Sequence, residues 1–193
     1  MQTERSGLMS DLLAGRITRA RYIALLFNLH ALYTALETAL VQQQTDPAIA
    51  LLQTGALQRT AALACDLQSL QGTQWQQVLT LQPALRDYVS RLQVLAAAGS
   101  RALVAHAYVR YLGDLNGGQA LARLVMRRLD LVGAEGTRFY DFGTPDEVAA
   151  RRTAFRSAIG QLPLRAGEAD LIVDEACWAF RQHQRLFEEL QSA

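Results

Sequence analysis

The chain has 193 residues, is 50% hydrophobic and sets 19 basic side chains against 18 acidic ones, a net charge of +1. That is length and apolar content for one domain, residues 1–193, with a substantial core. The charge balance argues against a nucleic-acid-binding field and against an acidic disordered tail.

The opening MQTERSGLMSDLL lacks the apolar centre of a signal peptide. No run of about 18 uninterrupted apolar residues occurs, so no membrane span is expected and the chain is placed in the cytoplasm. Cys65 and Cys177 lie far apart in apolar helical contexts, without metal-type spacing. They are read as buried structural thiols in a reducing compartment.

Helical periodicity dominates, and no segment alternates cleanly with period two. A short helix over Gly7–Leu13 ends at Gly15. A long one runs from Thr18 to Gln44, with Leu25, Leu29, Leu36 and Leu40 on its apolar stripe. Asp46-Pro47 is a turn. A helix from Leu51 to Leu70 stops before Gly72, and Thr73–Leu81 forms a short helical piece. Pro83 suits the first position of the next helix and Gly99 its end. Ser100–Leu131 reads as one helix. Val132–Gly143 is the longest loop, broken by Gly133, Gly136 and Gly143. Thr144-Pro145 starts a helix that ends near Leu162-Pro163, with Asp146 and Glu147 favourable in its first turn. The last helix, Gly167–Gln191, carries Leu171, Ala176, Phe180 and Phe187. The chain is therefore an all-α, multi-helix bundle without repeats or linkers.

Within the Ser100–Leu131 helix, HAYVRYLGDLNGGQ places Gly113, Gly117 and Gly118 close together, although each interior glycine costs a helix roughly 1 kcal/mol against alanine. His106, Arg110, Gly113, Asp114, Gly117 and Gly118 fall on one face of an α-helix. Bare backbone there predicts a kink and lets either a flat ligand or another helix approach closely. A carboxylate beside an apolar surface needs a hydrogen-bonding partner, and Arg110, one turn earlier, is placed to be one. No strand precedes the glycines and no GK[ST] comes after them, so a phosphate loop is a poor reading.

These residues carry a resemblance: HAYVRYLGDLNGGQ is similar to the signature of the heme oxygenases. GLMSDLLAGRITRARYIALLFNLHALYTALE, PALRDYVSRL, FYDF and EACWAFRQHQRLFEELQ extend it over nearly the whole chain. The resemblance implies that heme, both substrate and cofactor, is sandwiched between a proximal N-terminal helix and the glycine-kinked distal helix. It implies O2-dependent cleavage to biliverdin, carbon monoxide and ferrous iron. Electrons would come from an external reductase or ferredoxin, since no flavin or dinucleotide motif is present. By the same resemblance Gly113 and Gly117 approach the ring most closely. Asp114 holds the water that delivers a proton, and Arg110, Tyr33 and Tyr88 belong to its hydrogen-bond network. Tyr108, Arg152 and Arg156 meet the propionates, and Phe180 and Phe187 line the pocket. His183 falls where some relatives place an asparagine, and Asn116 replaces a common serine. Partners are then heme and a transient electron-donor protein, with a monomer as the default.

The family's proximal iron ligand is a histidine one helical turn before a glutamate that matches Glu4, a heme-side position. That places the ligand immediately ahead of Met1. His30 and His106 are not obvious substitutes. Two readings stay open: the protein begins further upstream, or the chain binds a tetrapyrrole without oxidising it. A thiaminase-like hydrolase on a similar fold would need a placed cysteine and paired acids, and neither cysteine lies in such a motif.

Overall fold

The computed structural model describes residues 7–192, so Glu4 lies outside them. All regular structure among these residues is helical. Helix α1 (Gly7–Leu13) buries Leu8 and Leu12. Helix α2 (Arg19–Gln42) starts as expected, with the Thr18 hydroxyl accepting from the Arg21 amide, a cap of about 1 kcal/mol. Its stripe is the centre of the core: Leu26, Leu32, Tyr33 and Leu36 are fully buried. By length and composition α2 is apolar enough to cross a membrane. In this fold 61% of its most apolar 18-residue stretch is buried, packed between α4 and α6.

Asp46 is more than a turn residue. It caps α3 (Pro47–Leu51), accepting from the Ala48 and Ile49 amides, with Pro47 at the first helical position. The helix expected over Leu51–Leu70 is broken. After α3 the backbone turns left-handed at Gln53, φ 46°, runs through a 3₁₀ turn at Thr54–Leu57, and only then enters α4 (Thr60–Gln71). A tertiary contact imposes the break. Glu37 of α2 accepts the Arg59 amide at 2.5 Å and the Thr60 amide at 3.4 Å, capping α4 with a carboxylate from another helix.

Helix α5 (Trp75–Val78) is short, and α6 (Pro83–Ala97) has its proline in the first turn. The stretch read as one helix is three pieces: α7 (Leu103–Ala107), a π turn (Tyr108–Leu112) and α8 (Gly113–Leu129). The irregularity thus precedes the glycines, and Gly113 itself has ordinary helical angles, φ −60° and ψ −47°. A π turn inserts about one extra residue and so rotates the α7 side chains about the helix axis relative to those of α8. That is why His106 leaves the face predicted for it.

Helix α9 (Pro145–Gly160) opens with a complete capping box between Thr144 and Glu147. Helix α10 (Glu168–Ser192) runs along α1, α6 and α7. Its buried line passes through Glu175, Ala179, His183, Leu186 and Leu190, while Leu171 stays 64% exposed. The cysteines overturn their sequence reading: Cys65 and Cys177 are both free and exposed. Each has apolar sequence neighbours but lies on the outward side of its helix, since the buried stripes run through Asp66 and Leu67 on α4 and through Glu175 and Ala179 on α10.

Candidate active site

Arg110 organises the site. Its Nη2 donates to Asp114 Oδ1 at 2.9 Å, the i,i+4 pair expected from sequence. Its Nε donates to the Tyr33 hydroxyl at 3.2 Å, and its Nη1 to His183 Nε2 at 2.9 Å. Tyr33, reaching in from α2, closes the ring by donating to Asp114 Oδ2. Four side chains from α2, the π turn, α8 and α10 therefore form one hydrogen-bonded cluster.

Burial works against charge here, and the cluster offsets part of that cost. Burial raises the Asp114 carboxyl above its ordinary value, while Arg110 and the Tyr33 hydrogen bond pull it back. Burial opposes the Arg110 cation, yet Asp114 and Tyr33 hold it charged. Burial pushes the Tyr33 phenol up, so it stays a donor.

Beside the cluster lies a cavity of about 190 Å³. Its walls come from Leu12 of α1, Leu25 and Leu29 of α2, Gly113 of α8, and Phe180 and Phe187 of α10, with Arg110, Asp114 and His183 at its polar edge. Glycine has two different uses on α8. A Cβ added at Gly113 or Gly117 would meet nothing within 4 Å, so these positions present open backbone. A Cβ at Gly118 would touch Tyr140 at 3.5 Å. Gly118 therefore faces the Tyr140 side chain at ordinary contact distance, and the open-surface reading holds for the other two.

Tyr88 occupies a separate chain of contacts. Its hydroxyl lies 2.9 Å from His106 Nδ1, His106 Nε2 lies 3.1 Å from Glu175, and Glu175 holds Arg91 with two bonds at 3.0 and 2.6 Å. Tyr88 reaches the Arg110 cluster only through ring packing, its ring 5.3 Å from that of His183. No direct bond joins it to Asp114 among the described residues. His106 is structural, tying α7 to α6 and α10. His30 packs edge-on to Trp75 at 4.9 Å and borders the groove between α2 and α6, away from this cavity.

The expected rim residues stand apart from the lining. Tyr108, on the π turn, is 39% exposed. Arg152 and Arg156 project from α9, and neither has an ion-pair partner among the described residues. Phe180 is half-exposed at the mouth, whereas Phe187 is buried.

Sequence reasoning misses Asp66. It is fully buried on α4, and its two oxygens accept the Arg138 and Phe139 amides at 2.9 and 2.8 Å. Burial raises its carboxyl to about 6, against the pull of those bonds. It anchors the 3₁₀ turn Arg138–Tyr140, whose Phe139 and Tyr140 complete the cavity wall. A signal exists in the sequence: an acid on the apolar stripe Leu63, Asp66, Leu67, Leu70 needs buried donors.

The heme oxygenase family model matches residues 1–189. The chain belongs to the heme oxygenase family. It is 37% identical over 191 residues to heme oxygenase 2 of Synechocystis sp., a match covering 97% of this chain and 76% of that one. Heme oxygenase-1 of Synechocystis sp., solved in complex with heme, superposes with a TM-score of 0.93 at 34% identity, over 99% of this chain and 86% of the other. Heme oxygenase-2 of the same organism, solved with heme and NO, gives 0.94 at 36% identity, over 98% and 79%. The all-α bundle expected from the sequence is thus the heme oxygenase fold.

Proposed function

We propose that this chain is a heme oxygenase, cleaving heme to biliverdin, carbon monoxide and ferrous iron with O2 and electrons from a separate reductase or ferredoxin. The observation that carries this is the buried Tyr33–Asp114–Arg110–His183 cluster set beside the open backbone of Gly113. The cavity suits a flat apolar ring. Leucines and phenylalanines form its walls, the glycine face lets such a ring approach main chain, and polar groups are confined to one edge.

Heme, when bound, supplies the iron at which O2 is reduced and the meso carbon that is oxidised. The protein's own part is positioning, exclusion of bulk water and proton supply. The apolar walls strip water from the ring. Asp114 keeps lone pairs beyond those used by Arg110 and Tyr33, enough to hold a water at the polar edge. Its raised pKa suits an acid that gives up and recovers a proton through that water. Tyr108, Arg152 and Arg156 are assigned to the two propionates at the rim, as cationic and hydroxyl donors. Two free thiols fit a reducing compartment, the cytoplasm.

The test is a hemin titration, then ascorbate or a ferredoxin–reductase pair under O2, monitored through the Soret band and biliverdin absorption. Binding with biliverdin release is expected. Binding without any ring opening would reject the enzymatic reading and leave a heme-binding protein.

A further inference from the structure

We infer that His183 is a positioning residue: a neutral imidazole locked in one tautomer, whose Nε2 fixes the Arg110 guanidinium and thereby sets how tightly Asp114 holds its proton. The inference deepens the heme oxygenase reading, because Asp114 is the proton source in that reading.

The lock comes from partner types. His183 Nδ1 lies 2.8 Å from the Ala179 carbonyl, which only accepts, so this nitrogen carries the hydrogen. Nε2 lies 2.9 Å from Arg110 Nη1, which only donates, so this nitrogen offers its lone pair. A second ring proton would set N–H against N–H and a cation against a cation. Burial and the Arg110 charge accordingly push the imidazole down to about 3. The other groups facing the ring are Tyr88 of α6, 5.3 Å away, and His106 of α7 behind it. His106 is itself kept toward its neutral form by burial, against the pull of Glu175. No carboxylate bonds to the His183 ring among the described residues, so nothing there favours its cation. With both nitrogens engaged, the imidazole lines the cavity as a fixed wall.

The guanidinium has three acceptors on three elements: Tyr33 on α2, His183 on α10 and Asp114 on α8. Removing the His183 acceptor orphans a buried N–H and frees the guanidinium to reorient, which loosens its hold on Asp114. Asp114 also faces Tyr33 and, less directly, Arg59, but Arg110 is the cation that most opposes its protonation. Weakening that contact makes Asp114 hold its proton more tightly.

The experiment uses the full chain without heme. The titration of the Asp114 carboxyl is monitored by carbon NMR in the wild type, His183→Phe and His183→Gln, together with the nitrogen shifts of His183. His183→Phe should raise the apparent pKa of Asp114 by about one unit, the lower end of what a close opposite charge supplies. His183→Gln, which restores an acceptor, should return it toward the wild-type value. The wild-type imidazole should show a hydrogen on Nδ1 only, unchanged between about pH 5 and pH 8. An unshifted Asp114 in His183→Phe, or a His183 that titrates in that window, overturns the proposal. If His183→Phe does not fold, the wild-type nitrogen spectrum decides. Since no heme is present, these outcomes are independent of whether biliverdin is formed.

Discussion

Tyr88 donates its hydroxyl hydrogen to Nδ1 of His106 across 2.9 Å, because the other ring nitrogen already gives its hydrogen to Glu175. The direction is fixed from the Glu175 end. Burial favours a protonated Glu175, but hydrogen bonds from His106 and Arg91 outweigh it and bring the carboxyl to about 2. It is an anion that can only accept. Tyr88→Phe then leaves a buried ring nitrogen without a donor, at a cost of about 1–3 kcal/mol. Urea unfolding should show this loss, while single-turnover biliverdin yield should fall far less than in an Asp114 variant. A yield as low as that of Asp114→Asn would instead put Tyr88 in the proton path.

Gly113→Ala should separate stability from binding. The added Cβ meets nothing within 4 Å, and the helix should gain about 0.5–1 kcal/mol. The same methyl group projects into the face assigned to the ring. Hemin affinity should fall by about tenfold, equivalent to about 1.4 kcal/mol, while Tm of the heme-free protein rises. Unchanged affinity would remove Gly113 from the binding face.

Asp114→Asn keeps an acceptor for Arg110 but removes the transferable proton. Hemin binding should stay within about tenfold of wild type, while the rate of ring opening falls by about 10²–10⁴-fold. Soret titration and single-turnover absorption measure the two separately. Near-normal turnover would transfer the proton-delivering role to another group.

The His106–Glu175–Arg91 chain should shape the acid limit of the fold. Glu175 has a folded pKa of about 2 against an ordinary 4.5. A carboxyl lowered in this way contributes stability above the unfolded value, and that contribution is lost as pH falls from 4.5 towards 2. Glu175→Gln should be less stable at neutral pH and should lose less stability over that interval. Parallel stability–pH curves for the two proteins would mean that the anion contributes nothing.

The sequence is most readable where local chemistry decides structure. Thr18, Pro83 and the Thr144–Glu147 pair mark helix starts by rules that act within a turn. The α2 stripe is legible from spacing alone, and so is the Arg110–Asp114 pair. The hidden features depend on groups distant in sequence. Glu37 breaks the expected Leu51–Leu70 helix from 22 residues away, and the π turn at Tyr108–Leu112 has no composition signal. Family position also leaves open which way the Tyr88 hydroxyl points; it points to His106. The cysteines are misjudged because an apolar neighbourhood in sequence does not say which side of a helix a residue occupies.

Those two exposed thiols have a practical use. Cys65 precedes Asp66, the anchor of one cavity wall, and Cys177 lies one turn before Phe180 at the cavity mouth. The wild-type chain thus carries its own pair of attachment points for spin labels or fluorophores, one on α4 and one on α10, without an engineered cysteine. A distance distribution between them, recorded with and without hemin, would report directly how far the two walls move when the cavity fills.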